Sequence, residues 1–139
     1  MIIGNGIDIV NIERFKNTFE NFDKKFIDKI LNDKEKANFP KDKQKKIEFI
    51  AKHWAVKEAV SKSIGCGLLN GSKIHFKDII LNKDKFNKPF VEFEEKTLNV
   101  ICDFLKINKN KKDKIKIHIS TSGDGNYIIA NSILELLEK

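Results

Sequence analysis

Arginine is nearly absent from this chain: of 27 basic residues in 139, only Arg14 is not lysine. Arginine makes most of the two-pronged contacts by which proteins read guanine and grip phosphate, so its scarcity argues against sequence-specific DNA recognition. Cysteine is limited to Cys66 and Cys102, which stand far apart without a partner motif. Neither a structural disulfide nor a zinc site is expected from them, and both are read as reduced. No apolar run approaches the roughly 18 residues that would span a membrane. Met1 to Gly6 lacks the basic-then-apolar order of a secretory signal, so the expected location is the cytoplasm. No glycine-rich phosphate loop occurs, which sets aside an ordinary nucleotide kinase or NTPase. With two prolines and no repeat, low-complexity tract or linker, residues 1–139 are expected to form one domain.

The composition, 40% hydrophobic and 34% charged, is that of a soluble globular protein with enough chain for a real core. The net charge of +7 calls for an acidic partner, a phosphorylated substrate or nothing beyond solubility. Many lysines alternate with Asp and Glu, which points to a solvated surface. A basic module that binds nucleic acid is the competing class. Titration with DNA over a range of salt separates it from an enzyme, because such binding weakens steeply as salt rises.

Ile2 to Val10 has strand character, with Gly4, Gly6, Asp8 and Val10 on one side and Ile3, Asn5, Ile7 and Ile9 on the other. Glycines two and four residues before Asp8 leave that side uncrowded, either as a slot for a ligand or as relief for a tight packing contact. Helical spacing follows from Asn11 to about Leu31: Ile12, Phe15, Phe19, Phe22, Phe26 and Ile30 form an apolar stripe. Arg14, Thr18, Asn21, Lys25 and Lys29 form a polar one, with a break expected near Glu20 to Asp23. A short helix capped by Asn32-Asp33 should stop before Pro40. The main helix then enters through Lys41 to Lys46, continues through Trp54 to Ile64 and ends at Gly65-Cys66-Gly67. A loop around Asn70-Gly71 precedes strands at Ile74–Leu81 and Phe90–Phe93. A helix is expected from Glu95 to Ile107, and Lys106 to Lys116, with six lysines against one aspartate, should be a mobile, self-repelling loop. Ile115, Ile117 and Ile119 alternate with Lys116, His118 and Ser120, giving a strand with one polar face. Gly123-Asp124-Gly125-Asn126 is a turn, and Tyr127 to Leu134 returns as a strand.

The chemistry concentrates on the main helix. Glu58 and Lys62 lie one turn apart and point the same way, at the margin of the apolar face. If the first strand packs beside this helix, Asp8 and Glu58 can share one divalent ion. Magnesium suits two carboxylates because it keeps several waters and completes its shell with phosphate oxygens. Lys62 would then neutralise charge on a departing phosphate. His53 on the same helix is expected to pack or to face solvent, not to ligate.

Three stretches, taken together, have a family likeness: Gly6-Ile7-Asp8-Ile9-Val10 with Ile12-Glu13-Arg14; Trp54-Ala55-Val56-Lys57-Glu58-Ala59 with Ser61-Lys62 and Gly65; and His118-Ile119-Ser120-Thr121-Ser122 before Tyr127 and Ala130. In this order and spacing the chain resembles the holo-acyl-carrier-protein synthases of the 4'-phosphopantetheinyl transferase superfamily, from end to end. The resemblance implies an α+β fold in which an antiparallel-rich sheet packs on a long central helix, assembling as a homotrimer with sites between protomers. It implies Mg²⁺-dependent transfer of 4'-phosphopantetheine from coenzyme A to a serine of apo acyl carrier protein. Adenosine 3',5'-bisphosphate would be released, and the reaction would serve fatty acid biosynthesis. By the same likeness Asp8 and Glu58 hold the metal, and Asp8, Glu58 and Lys62 are catalytic. Lys62, Gly65, His118 and Ser120 contact coenzyme A, the last two from across a subunit boundary. Arg14, and after it Lys25, meets the carrier protein. The serine proton would pass to Glu58 or to a water on the metal, and the sequence leaves both open.

The chain departs from the family after Ser120-Thr121-Ser122, where a second histidine is usual and Gly123 stands. That change is the one support in the sequence for a catalytically weak relative that only binds carrier protein. Asn87, where the family commonly has glycine, is a milder change because asparagine tolerates left-handed geometry.

Overall fold

In the computed structural model, the residues described are 1–18, 24–68 and 71–137. Phe19, Phe22 and Asn21, the expected break at Glu20 to Asp23, and Asn70 lie outside them. The chain runs β1 (Ile2–Asn11), α1 (Ile12–Thr18), α2 (Lys24–Ile30), α3 (Asp33–Lys36), α4 (Lys43–Ile64), β2 (Ile80–Lys83), β3 (Pro89–Glu92), α5 (Glu95–Leu105), β4 (Ile115–Asp124) and β5 (Tyr127–Leu136). Strands β1, β5 and β4 form an antiparallel sheet in that order, and β2 and β3 form a separate hairpin. No helix among the described residues is long and apolar enough to cross a membrane.

Helix α4 starts at Asp42, whose carboxylate accepts from Lys45 N at 2.9 Å, and ends at Gly65, whose φ of 82° is the left-handed conformation that favours glycine. It is buried on most of its circumference, with Ala55, Val56, Ala59, Val60 and Ile64 in the core. The sheet lies directly on it. A Cβ on Gly6 would stand 2.0 Å from Ala59 O, and one on Gly4 would stand 1.9 Å from Ser63 O. The two glycines therefore admit the helix backbone, not a ligand, and of the two readings of this strand the packing one holds. Ser63 Oγ and Ser132 Oγ, 2.9 Å apart, satisfy each other inside the same contact.

The second polar element of the core was not foreseen. Lys57 is fully buried, and its Nζ donates to Glu35 Oε2 at 2.7 Å and to Ile30 O at 2.6 Å. Glu35 also accepts from Asn32 N at 2.7 Å and Leu81 N at 2.9 Å, so one carboxylate joins α3, α4 and β2. Burial pulls the Lys57 ammonium down to about 8 against the opposing pull of Glu35. His53 is buried beside it, bonded to Phe49 O at 2.8 Å and stacked on the Phe49 ring. Burial lowers its pKa to about 3, so it packs as a neutral ring.

Three expectations are corrected. The strand expected at Ile74–Leu81 shrinks to Ile80–Lys83, because Phe76–Asp78 makes a 3₁₀ turn closed by Asp78 Oδ2 on His75 N at 2.8 Å. That turn drives Phe76 and Ile79 into the core together, where strand alternation would put them on opposite faces. Helix α5 stops at Leu105 because Lys106 takes a left-handed φ of 56°. The lysine-rich loop is structured: Lys109–Lys114 is 3₁₀, capped by Asn108, with Lys109 paired to Asp103 at 2.9 Å and Lys112 paired to Glu95. Acidic residues on α5 offset the repulsion that the lysine count suggested. Both cysteines are free.

Candidate active site

β1 lies against α4 through its glycines, and Asp8 is the next residue on the same strand face, about 7 Å beyond Gly6 at strand rise. Gly4 faces Ser63 and Gly6 faces Ala59, so this step carries Asp8 further toward the start of the helix, and Lys62 reaches back to meet it. Lys62 Nζ donates to Asp8 Oδ1 at 2.8 Å and to Ile7 O at 2.9 Å, with the Asp8 side chain 16% exposed and Lys62 51%. Glu58, one turn earlier, is half-buried, and no hydrogen bond or ion pair to it occurs among the described residues. Burial raises its pKa, the Asp8 carboxylate adds to the rise, and Lys62 opposes it. The negative charge of Asp8 disfavours a second ionised carboxylate at Glu58.

Two carboxylates that repel each other across a half-open site suit a divalent cation. No group of three or more His, Cys, Asp or Glu side chains that could hold a metal occurs among the described residues. Magnesium tolerates that small protein share because water and phosphate oxygens complete its shell, so the residues present fit it. Lys62, expected to face phosphate, is instead bonded to Asp8, and a cation on Asp8 would compete with that ammonium.

Gly65 ends α4 three residues after Lys62. Beyond it opens a cavity of about 670 Å³ between the Cys66-Gly67 turn and the α5 residues Val100 and Phe104. Its size is that of a small-molecule pocket, and nothing in the sequence pattern announced it.

The remaining candidates lie elsewhere. Arg14 is exposed on α1, where Asn11 Oδ1 caps the first turn by accepting from Arg14 N at 2.9 Å. Lys25 is exposed on α2. His118 and Ser120 alternate with Ile117 and the buried Ile119, so they occupy the sheet face turned away from α4, while Asp8 is on the face toward it. Within one chain they do not meet Asp8. His118 Nε2 lies 2.8 Å from Glu135 Oε2, a partner that sequence reading missed by ending the last strand at Leu134. Gly123 is exposed, and a Cβ there would meet Tyr127 O at an ordinary 3.5 Å, so the backbone does not require glycine.

The family described as the 4'-phosphopantetheinyl transferase superfamily matches residues 4–130. A holo-[acyl-carrier-protein] synthase from Geobacillus sp. is 38% identical over 138 residues, covering 99% of each chain. Among solved structures, the holo-[acyl-carrier-protein] synthase of Neisseria meningitidis superposes with a TM-score of 0.78 at 27% identity, covering 97% of this chain and 99% of that one. The Helicobacter pylori enzyme, solved in complex with coenzyme A, gives a TM-score of 0.70 at 28% identity over 94% of this chain and 99% of its own.

Proposed function

The chain therefore belongs to the 4'-phosphopantetheinyl transferase superfamily as a holo-[acyl-carrier-protein] synthase, and we propose that Asp8, Glu58 and Lys62 are its catalytic centre. The reaction is transfer of 4'-phosphopantetheine from coenzyme A to a serine hydroxyl of apo acyl carrier protein. Adenosine 3',5'-bisphosphate leaves, and the product serves fatty acid synthesis in the cytoplasm. The observation that carries this reading is the convergence of Asp8 and Lys62, 54 residues apart, at 2.8 Å, with Glu58 one turn from Lys62 and without a hydrogen-bond or ion-pair partner among the described residues.

Asp8 and Glu58 would hold Mg²⁺, which when bound supplies positive charge against the diphosphate oxygens of coenzyme A. Lys62 sits on the exposed side of the pair and supplies a second positive charge for the departing phosphate. Glu58, with its raised proton affinity, is the chain's own candidate to accept the serine proton. Gly65 and the cavity beyond it extend the site for the body of coenzyme A.

The sheet face opposite α4 supports assembly as a trimer. Ile7 (59% exposed), Ile9 (60%), Tyr127 (50%) and Ile129 (40%) form an apolar stripe there beside His118 and Ser120. Covering that stripe with neighbouring copies would bring His118 and Ser120 of one protomer to the coenzyme A of another, which no single chain can do. Arg14 and Lys25, exposed on the helices that follow β1, form the docking surface for an acidic carrier.

The test is to mix the protein with coenzyme A, Mg²⁺ and apo carrier, and to follow the carrier by mass spectrometry. The carrier is expected to gain phosphopantetheine only with Mg²⁺ present, and Arg14→Glu should raise KM for carrier while sparing KM for coenzyme A. An unmodified carrier at full protein loading would overturn the proposal in favour of a relative that binds without turnover.

A further inference from the structure

On the outer sheet face, β5 continues two residues past Leu134 and brings Glu135 diagonally across from His118, with Nε2 and Oε2 2.8 Å apart. The hydrogen bond from His118 holds Glu135 below the ordinary carboxylate range. Two further cations reinforce it: Lys116, directly opposite on β4, and the terminal amino group of Met1, which donates to Leu136 O at 2.8 Å. Glu135 is thus ionised at neutral pH and has no proton to give. The hydrogen on this bond must belong to Nε2.

That assignment fixes the ring. With Nε2–H directed at Glu135, His118 has Nδ1 left for a ligand, and no hydrogen-bond partner to Nδ1 occurs among the described residues. Both side chains are partly exposed, so solvent alone would leave the ring free to flip and exchange tautomers. We propose that Glu135 is a positioning residue: it locks His118 in the orientation that presents Nδ1 to the nucleotide part of coenzyme A bound by a neighbouring protomer. The inference rests on the placement of His118 in that site, and it adds a residue that does not itself touch substrate.

The experiment compares Glu135→Leu, Glu135→Gln and His118→Ala, singly and as the Glu135→Leu/His118→Ala pair. It uses steady-state kinetics in coenzyme A and imidazole ¹⁵N shifts of the folded protein. Glu135→Leu is expected to raise KM for coenzyme A at least about threefold with kcat within twofold, and to move His118 away from a pure Nε2–H pattern. Glu135→Gln, whose amide oxygen still accepts from Nε2, should keep both near the parent values. In the His118→Ala background, Glu135→Leu should change KM no further, whereas a residue that only stabilises the strand would add its full effect. If His118→Ala leaves KM for coenzyme A unchanged, the placement of His118 fails, whatever Glu135 does. If His118→Ala raises KM but Glu135→Leu moves neither KM nor the ¹⁵N pattern, the positioning role alone is overturned.

Discussion

Lys57 and Glu58 are neighbours on one helix and live in opposite electrostatic worlds. Lys57 is sealed in the core with its charge answered by Glu35 and a backbone carbonyl. Glu58 is half-buried, pressed by another acid, and has no hydrogen-bonded or ion-paired partner among the described residues. One residue step, a rotation of about 100°, separates a charge that is fully satisfied from one that is not. The difference teaches where to look for chemistry: a buried charge with complete hydrogen bonding holds a fold together, and a strained charge at an open margin is free to bind and react.

The largest effect should come from breaking the satisfied pair. Lys57→Met leaves Glu35 buried without its counter-ion and should cost about 3–5 kcal/mol in denaturant unfolding. A loss under about 1 kcal/mol would show that the pair is not the structural half of the comparison. Next comes Glu58→Gln, which should keep the fold and lower Mg²⁺-dependent turnover at least about a hundredfold, as should Asp8→Asn. Parent-like turnover in either variant would remove the metal assignment.

The smallest effect is the most diagnostic of strain. Because the folded state raises the Glu58 pKa, both folded and unfolded chains are protonated below the ordinary Glu range, and no cost is felt there. As pH rises through the raised value the folded state carries an ionised group it disfavours, so stability contributed by this site falls. Glu58→Gln should therefore raise the metal-free Tm modestly near pH 7.5 and lose that advantage near pH 4. A variant less stable than the parent at pH 7.5 would show Glu58 to be a stabilising residue.

Much of this site could be read before any fold was known. Glu58 and Lys62 share a helix face by spacing alone, and Gly65 marks the helix end because only a left-handed residue closes it there. The glycines before Asp8 signalled a close approach, but pattern could not say of what. A missing side chain looks the same whether a ligand or a backbone fills the space. Lys57 was hidden for a similar reason: helical spacing places it beside the apolar stripe, yet its burial depends on Glu35, 22 residues away, reaching the same spot. Glu135 was missed because a strand end is set by pairing, and its alignment with Lys116 is decided by the register of β4 on β5.

The sequence by itself determined the local order: a glycine-bearing strand, a long helix with Glu58 and Lys62 on one stripe, and a final strand pair with alternating faces. These follow from dihedral preference and side-chain period, which act over a few residues. Only the tertiary structure decided that Asp8 meets Lys62, that Lys57 is shut inside, and that His118 turns away from Asp8 toward Glu135. Those choices depend on how closely two backbones pack and on which sheet face is covered, and no window along the chain contains both partners.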